Sequence, residues 1–197
     1  MKLLFKISLL LQLLLVNHTQ AAEPSKWQKY DISGNPVAIK MGPWQCAKDN
    51  HTGLTWEVKS WHEDAHYYKA SYSYYDPISK QGVKDGGSCQ QGEEWYACDI
   101  SDYIKTINEQ AYCGITSWRL PTLDELKTLV YRKNIAGKLL INPYIFPRTT
   151  RAVYMTADKT MVDGQLTIDM MDFWHARVQR RRVDVVANVR LVSEIGE

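Results

Sequence analysis

Four cysteines limit the folds that this chain can adopt: Cys46, Cys89, Cys98 and Cys113. The start of the chain predicts an export signal, and an even number of cysteines in an exported protein favours disulfides over metal binding or redox chemistry. Three pairings are possible, and the sequence alone does not choose between them. We favour Cys89–Cys98, which closes a short loop, together with Cys46–Cys113, which closes a long one. Each of the three pairings predicts a disulfide-stabilised fold.

The predicted export signal is a signal peptide over residues 1–21. Lys2 and Lys6 precede an apolar run over residues 7–16, and small residues lead to a predicted cleavage after Ala21. The run is too short for a membrane-spanning helix, which needs about 20 apolar residues. We therefore expect an exported mature chain without a membrane span, located in the periplasm or secreted to the cell surface.

The charge of the mature chain argues against a nucleic-acid partner. Without Lys2 and Lys6, 22 of the 24 basic residues remain, and they face 22 acidic residues. Nucleic-acid-binding domains usually carry a clear basic excess. The sequence also has no Gly-rich phosphate loop, no Gly-x-Ser-x-Gly elbow and no lone reactive cysteine. We therefore expect no cofactor and no catalytic residues.

The pattern of turns and apolar residues predicts a single α+β domain. A Ser-Gly-Asn-Pro turn within residues 22–43 predicts an N-terminal extension that forms a hairpin. Leu54, Trp56 and Val58 alternate with polar residues, which predicts a strand with one buried face. The segment 60–98 is rich in tyrosine and glycine and predicts a long irregular loop. Strand-like segments follow in the last third of the chain, and antiparallel strands from the two chain ends could pair.

Two helices are predicted in the middle of the chain. Apolar residues recur at helical spacing over residues 101–110, which predicts the first helix. The stretch CGITSWRLPTLDEL leads into the second helix, because Thr122 and Glu125 have the spacing of a capping box directly after Pro121.

The same stretch predicts a structural motif ahead of the second helix. Trp118 can pack in the core, and the planar guanidinium of Arg119 can hold loop carbonyls. Glu125 can accept a hydrogen bond from the backbone N–H of Thr122. Because each of these residues has a packing or capping role without a ligand, we expect the motif to secure the fold.

Several motifs resemble, in order, those of one family of bacterial domains. They are DNHTGLTWE, YYDP, CDISDYI, CGITSWRLPTLDEL, NPYIFP and VRLV, and they cover residues 44–193. The family is the C-terminal domain of the Legionella collagen-like adhesin. The resemblance implies a fold similar to those of C-type lectins and formylglycine-generating domains, in an exported bacterial protein. The named member of the family binds sulfated glycans and forms a trimer.

This chain departs from the family in three respects. It lacks the collagen-like tract, so a homo-oligomer does not follow from the resemblance and stays an open expectation. At residues 154–159, YMTADK stands where relatives carry an aromatic residue and serines. The Glu-Pro-Asn or Gln-Pro-Asp tripeptide of calcium-dependent lectins is absent, so the resemblance does not support a calcium-bridged sugar site.

A run of arginines is the first candidate for ligand binding. Arg177, Arg180, Arg181 and Arg182 lie in one predicted strand, where alternation places Arg180 and Arg182 on one face and the other two on the opposite face. They could protect an edge strand against association with other sheets. They could equally bind sulfate or carboxylate groups, which guanidinium holds in a bidentate manner.

Aromatic residues of the 60–98 loop are the second candidate. They could stack on the apolar faces of sugar rings, and tyrosine adds a hydroxyl for polar partners. The aromatic residues are Tyr67, Tyr68, Tyr72, Tyr74, Tyr75, Trp95 and Tyr96, and we select Tyr72, Tyr74 and Trp95 as the candidate ligand residues. The alternative is that these rings anchor a loop that has few aliphatic residues to bury.

The sequence HEDAH has the spacing of the zinc-peptidase motif. His62 and His66, one helical turn apart, would bind Zn²⁺, with Glu63 as the general base. The segment leads into the tyrosine-rich loop, however, and no motif supplies a third ligand, for which His175 is a guess. We therefore expect exposed loop histidines and no metal.

The first hypothesis for function is an exported, non-enzymatic domain that binds a glycan or another anionic surface ligand, as an adhesin does. The alternative is a structural or assembly domain of the cell envelope or of a surface fibre, with an envelope protein as its partner. The third hypothesis is a zinc-dependent hydrolase that uses His62, Glu63 and His66.

Overall fold

A computed structural model describes residues 25–62, 64–131 and 139–194. The predicted signal peptide and Glu63 lie outside these ranges. No helix in the described part of the chain is long and apolar enough to cross a membrane. The described residues form a mostly β structure with two α-helices and two disulfides, which agrees with the predicted disulfide-stabilised α+β class.

The elements are short, apart from one long hairpin near the C-terminal end. In chain order they are β1 Trp27–Tyr30, β2 Pro36–Val37, β3 Cys46–Asp49, β4 Leu54–Glu57, β5 Tyr72–Ser73, β6 Tyr75–Asp76, β7 Gln81–Gly82, β8 Cys89–Gln91, β9 Glu94–Tyr96, α1 Ile100–Glu109, a 3₁₀ turn Tyr112–Gly114, α2 Leu123–Lys127, β10 Val153–Val162, β11 Gln165–Asp172, β12 Val178–Arg182, β13 Val186–Ala187 and β14 Val192–Glu194.

The main sheet joins the two ends of the described chain. Its strand order is β14-β4-β3-β1-β2, and neighbouring strands are antiparallel. The predicted N-terminal hairpin is therefore present as β1 and β2, and the C-terminal β14 pairs with β4. The turn of the hairpin approaches the 3₁₀ turn closely, since a Cβ on Gly34 would lie 2.6 Å from the carbonyl oxygen of Cys113.

The prediction that β4 has only one buried face is wrong. All four of its residues are buried, including Thr55 and Glu57, on the face that alternation predicts to be polar. A carboxylate in this position needs charged or hydrogen-bonding partners to be tolerated.

The predicted helices both form. Helix α1 begins at Ile100, one residue before the predicted start, with Asp99 as the N-cap that accepts hydrogen bonds from two backbone N–H groups. Its buried residues are Ile100, Tyr103 and Ile107. Helix α2 is only five residues long, and the predicted capping box of Thr122 and Glu125 is present at its start.

The remaining strands make one three-stranded sheet and three two-stranded ribbons. The three-stranded sheet has the order β10-β11-β12, so β12 lies at an edge. The segment 60–98, predicted to be irregular, contains β5 to β9 as short pieces. The Cys89–Cys98 disulfide closes the ribbon of its strands β8 and β9. The backbone also packs closely at Gly87, where a Cβ would lie 2.3 Å from the carbonyl oxygen of Ser71.

Both favoured disulfides are confirmed. Cys46–Cys113 links β3 to the 3₁₀ turn, and Cys89–Cys98 closes the ribbon of β8 and β9. All four cysteines are buried in the same apolar cluster.

We expect the two bridges to differ in their contribution to stability, because a longer closed loop restricts the unfolded chain more. Replacing Cys46 and Cys113 by alanine should lower the free energy of unfolding by roughly 4 kcal/mol, and replacing Cys89 and Cys98 by roughly 3 kcal/mol. Urea unfolding, monitored by tryptophan fluorescence, measures both losses in the free energy of unfolding. A larger loss from the Cys89–Cys98 variant would contradict this account.

Candidate ligand-binding site

The WRLPT motif, residues 118–122, makes its contacts within the fold. Trp118 is buried, and its indole N–H donates to the carbonyl of Tyr112 at 3.0 Å. The Arg119 guanidinium donates to both carboxylate oxygens of Glu125 at 2.8 and 2.7 Å, and to Glu194 at 2.8 Å. These hydrogen bonds hold the pKa of the Glu125 carboxyl below its usual range. The backbone N–H of Thr122 donates to the same carboxylate at 2.7 Å.

Within this motif, the carbonyl of Pro121 accepts a hydrogen bond from the backbone N–H of Ala157 at 2.7 Å. This bond links the start of α2 to the long hairpin. Arg119 also pairs through its backbone with Val192, just where β14 begins. The motif therefore joins α2, β10 and β14, and its charged groups are used within the fold.

Two of the predicted aromatic ligand residues are unavailable to a ligand, which corrects that prediction. Tyr72 and Tyr74 are buried, with 1% and 6% of their surface exposed. The Tyr72 hydroxyl donates to the carbonyl of Ala65 at 3.0 Å, and the Tyr74 hydroxyl accepts from Lys159 at 2.7 Å. The alternative, that such rings anchor the loop, holds for both. Trp95 is 52% exposed and stays a candidate.

The arginines of β12 are exposed and alternate as predicted. Arg180 lies opposite Asp169 and donates to its carboxylate at 2.8 and 3.1 Å, while Arg182 lies 3.0 Å from the carboxylate of Asp184. On the other face, Arg181 donates to Gln179 at 2.6 Å. Arg177 precedes the strand and has no carboxylate partner among the described residues.

The HEDAH segment does not form a helix in its described residues, so His62 and His66 do not have the geometry of the zinc-peptidase motif. His62 is exposed as predicted, but His66 is buried, which corrects the prediction of two exposed histidines. Among the described residues, neither of these histidines belongs to a group of side chains whose ligand atoms lie close enough together to bind one metal ion. The same holds for His175.

His66 instead belongs to a buried polar cluster centred on Glu57. One carboxylate oxygen of Glu57 lies 2.7 Å from the Lys59 ammonium and 3.0 Å from Nδ1 of His66, and it also accepts the hydroxyl of Tyr103. The other oxygen accepts the backbone N–H of Leu191 at 3.0 Å. The carboxylate is thus fully surrounded by donors.

The charges in this cluster determine its protonation. Burial alone would raise the pKa of Glu57, but the positive charge of Lys59 and the donors of His66 and Leu191 outweigh it, and the pKa lies well below the usual range. Burial and the neighbouring Glu57 charge raise the pKa of Tyr103 well above its usual value. Glu57 is therefore ionised, and Tyr103 keeps its proton and donates.

A second buried cation completes the cluster. The Arg190 guanidinium is fully buried and donates to the carbonyl of Glu57 at 2.6 Å and to the hydroxyl of Thr149 at 3.0 Å. It also lies over the ring of Phe146, with 4.7 Å between the guanidinium carbon and the ring centre. Arg190 thereby connects β4 to the segment just before the long hairpin.

A row of stacked aromatic and basic side chains forms what we call the aromatic ridge: Arg148, Trp61, Tyr68, Tyr67 and Trp95. Trp61 and Trp95 are exposed, Arg148 and Tyr68 are half-buried, and Tyr67 is buried. The Arg148 guanidinium lies 4.0 Å from the centre of the Trp61 ring, and Trp61 is parallel to Tyr68 at a centroid distance of 5.2 Å. Tyr68 contacts Tyr67 edge-on, and Tyr67 contacts Trp95 at 6.2 Å. Trp61 is 58% exposed.

Two adjoining hollows lie beside the ridge. The smaller, which we call the cleft, has a volume of about 200 Å³ and includes Trp44, Trp61 and Arg148 in its lining. The larger, which we call the cavity, has a volume of about 500 Å³ and includes Asp64 and His66. Both hollows are lined in part by the same four residues, Gln45, Ser60, His62 and Tyr112.

Comparison with known proteins gives the family. A family model described as the Lcl C-terminal domain matches residues 45–193, which is most of the chain and includes the whole ridge and most of the residues that line the two hollows. The chain belongs to the Lcl C-terminal domain family. This confirms the family that the sequence motifs predict. No curated protein and no solved structure matches the chain.

In this Lcl C-terminal domain, the sequence reasoning named Tyr67, Tyr68 and Trp95 of the ridge, but it missed Arg148, Trp61 as a ligand contact and the buried Glu57 cluster. Glu57 and Lys59 are two apart on an extended segment and therefore share a face, which is a signal for a buried ion pair. Trp61 precedes His62 in the sequence, so it could have been proposed as a ligand contact from the sequence alone. No local pattern predicts that Arg148 stacks on Trp61, since 86 residues separate them.

We expect the Glu57–Lys59 pair to be strongly coupled. Glu57→Gln or Lys59→Met alone should lower the free energy of unfolding by about 3–5 kcal/mol, because each leaves a buried charge without its partner. The double variant should lose less than the sum of the two. As a control, Glu109→Gln breaks the exposed pair with Lys105 and should cost about 0.5 kcal/mol or less. Additive losses in urea unfolding would contradict the coupling.

The depressed pKa of Glu57 also predicts acid sensitivity. A carboxyl with a lowered folded-state pKa contributes stability that is fully present above its unfolded pKa, about 4.3, and is lost as the pH falls toward the folded value. The free energy of unfolding of the native protein should therefore fall steeply below about pH 4, and less steeply in Glu57→Gln. Urea unfolding across this range measures the slopes, and equal slopes would show that Glu57 is not the responsible group.

Proposed function

We propose that this Lcl C-terminal domain is an exported, non-enzymatic binding domain for anionic glycans, and that the aromatic ridge is its contact surface. The observation that carries the proposal is the stack of Arg148, Trp61 and Tyr68, in which Trp61 is exposed and the other two side chains are half-buried. Sugar rings present apolar C–H faces that pack on aromatic rings, and sulfate or carboxylate groups accept hydrogen bonds from guanidinium. The stack offers both kinds of contact at one place.

Arg148 is suited to bind an anion. Among the described residues its guanidinium has no hydrogen-bond acceptor and no carboxylate partner, so its N–H donors are free. The stack on Trp61 orients the guanidinium plane. Lys69, whose ammonium lies 5.5 Å from the centre of the Tyr68 ring, adds a second positive charge at the ridge.

The β12 arginines contribute less in this proposal. Arg180 and Arg182 each already pair with a carboxylate, so an anionic ligand would have to compete with Asp169 and Asp184. Their position at a sheet edge suits the alternative role, in which charge protects the edge from association with other sheets.

The proposal includes a C-type-lectin-like architecture and export. Family membership supports the first, together with one sheet that holds strands from both chain ends, two helices and two disulfides. The two disulfides support the second, because disulfides persist in oxidising compartments.

A structural or assembly role is the second candidate, and one observation favours it. The hairpin of β10 and β11 carries exposed apolar side chains toward its turn, with Met161 57% and Val162 39% exposed. Such side chains are typical of a contact with another protein. An envelope protein or a second copy of the chain would be the partner.

Binding to an array of glycans that includes heparin-like sulfated chains tests the proposal, with oxidised protein from Ala22 onward. We expect binding that persists in EDTA and weakens as salt increases, because it depends on Arg148 and not on calcium. Trp61→Ala and Arg148→Ala should each weaken it about tenfold, which corresponds to about 1.4 kcal/mol.

The matched control is Arg180→Ala combined with Arg182→Ala, which removes two exposed arginines outside the ridge and should weaken binding less than Arg148→Ala alone. If folded protein binds no glycan on the array, or if the β12 variant loses more than the ridge variants, the ridge is not a glycan site. Co-purification with an envelope protein in that case would favour the assembly role.

A further inference from the structure

A second arginine stacks on a tryptophan at the base of the long hairpin. Arg151 lies just before β10 and Trp174 just after β11, and the guanidinium carbon of Arg151 lies 3.8 Å from the centre of the Trp174 ring. Arg151 is exposed and Trp174 is half-buried, so a ligand can contact both side chains. This pair, which we call the second stack, repeats the pairing of Arg148 with Trp61 at the ridge.

The turn that follows β11 fixes the backbone of Trp174 and adds positive charge. Its only carboxylate, Asp172, is buried and accepts the backbone N–H groups of Trp174 at 2.9 Å and His175 at 2.6 Å. The turn closes where the carbonyl of Arg177 accepts the backbone N–H of Asp172 at 3.1 Å. The side chain of Arg177 is exposed. The one negative charge of the turn is therefore used within it, while its arginine faces solvent.

The arginines of the second stack and of this turn are available to an anion. Neither Arg151 nor Arg177 forms an ion pair with a carboxylate among the described residues. Arginine presents its N–H donors in a fixed planar fork, and a ring stacked on that plane orients the fork without using its donors. Such a fork binds sulfate or carboxylate oxygens in a bidentate manner.

The segment that joins the two stacks is fixed from within the fold. The hydroxyl of Thr149 accepts a hydrogen bond from the buried guanidinium of Arg190 at 3.0 Å, and the backbone N–H of Thr150 donates to the hydroxyl of Tyr154 at 2.9 Å. These two threonines separate the stacked arginines, so the Cα atoms of the arginines are at most roughly 11 Å apart. The two stacks therefore lie within reach of one extended chain of sugars.

We propose that the second stack is an anion-binding site, and that one linear polyanionic glycan occupies it together with the ridge. The single-chain arrangement rests on the proposed function, whereas anion binding at the second stack does not depend on it. A contact at two linked sites is stronger than at either alone, because the second contact forms at a high effective concentration. The ligand class is then a chain that carries several sulfate or carboxylate groups, and not a sugar with a single charge.

Heparin oligosaccharides of two lengths, a disaccharide and an octasaccharide, test this proposal. NMR of the oxidised full mature chain reports on both sites through the indole N–H signals of Trp61 and Trp174. We expect each oligosaccharide to shift both signals, and the octasaccharide to bind about tenfold or more tightly than the disaccharide. Maltooctaose, a neutral chain with as many sugar units as the octasaccharide, should leave the Trp174 signal unchanged.

Variants of exposed arginines separate the second stack from the ridge. Arg151→Ala should weaken octasaccharide binding about tenfold and leave the shift of the Trp61 signal by the disaccharide unchanged. Arg151→Lys keeps the charge but loses the planar fork, so it should recover only part of the affinity. The matched control is Arg182→Ala, at the other end of β12, where the arginine already lies 3.0 Å from Asp184. It should change neither quantity.

The second stack is overturned as an anion site if neither heparin oligosaccharide shifts the Trp174 signal, if maltooctaose shifts it equally, or if Arg151→Ala binds the octasaccharide as Arg182→Ala does. A shift of Trp61 without Trp174 would leave the proposed function intact and reject this inference alone. A shift of Trp174 without Trp61 would support the second stack and count against the ridge. Equal affinity for the two chain lengths would overturn the single-chain arrangement.

Discussion

The carboxylate of Glu57 is the group on which the rest of the structure depends. It belongs to β4, in the middle of the region where both chain ends meet, and it binds Lys59 on its own segment. It also holds His66 of the following loop, Tyr103 of α1 and the backbone of Leu191 just before β14. One charged group thus connects the sheet, a helix and a loop that has little regular structure of its own. A buried charge is stable here because each of its oxygens has a donor.

This anchor also positions the ridge that we propose to be functional and the cavity next to it. His66 stacks on Tyr112 at 3.6 Å, and Tyr112 is next to the Cys46–Cys113 disulfide, so the wall of the cavity is rigid on that side. Trp61 lies between Lys59 and His66 in the chain, and the ridge therefore follows from the same fixed segment. The ridge and the two hollows therefore lie on one side of the Glu57 cluster, because they share residues of this segment.

Local patterns in the sequence predicted the elements, and long-range contacts determined the site. The two helices and the capping box of Thr122 and Glu125 follow from spacing and residue type, and both are present. The sequence favoured the observed disulfide pairing but did not exclude the other two. Tyr72 and Tyr74 were predicted on an exposed surface because composition does not tell which face of a loop is buried. The stack of Arg148 on Trp61 could not be predicted, because it depends on how distant segments fold together.

The most direct measurement is the tautomer of His66, by ¹⁵N NMR of the imidazole nitrogens in the folded protein at neutral pH. If Glu57 is ionised and central to the cluster, Nδ1 of His66 carries the proton of their hydrogen bond, and its coupling to the ring protons shows it. A ring whose single proton is on Nε2 would mean that His66 does not donate to Glu57, and it would contradict the anchor.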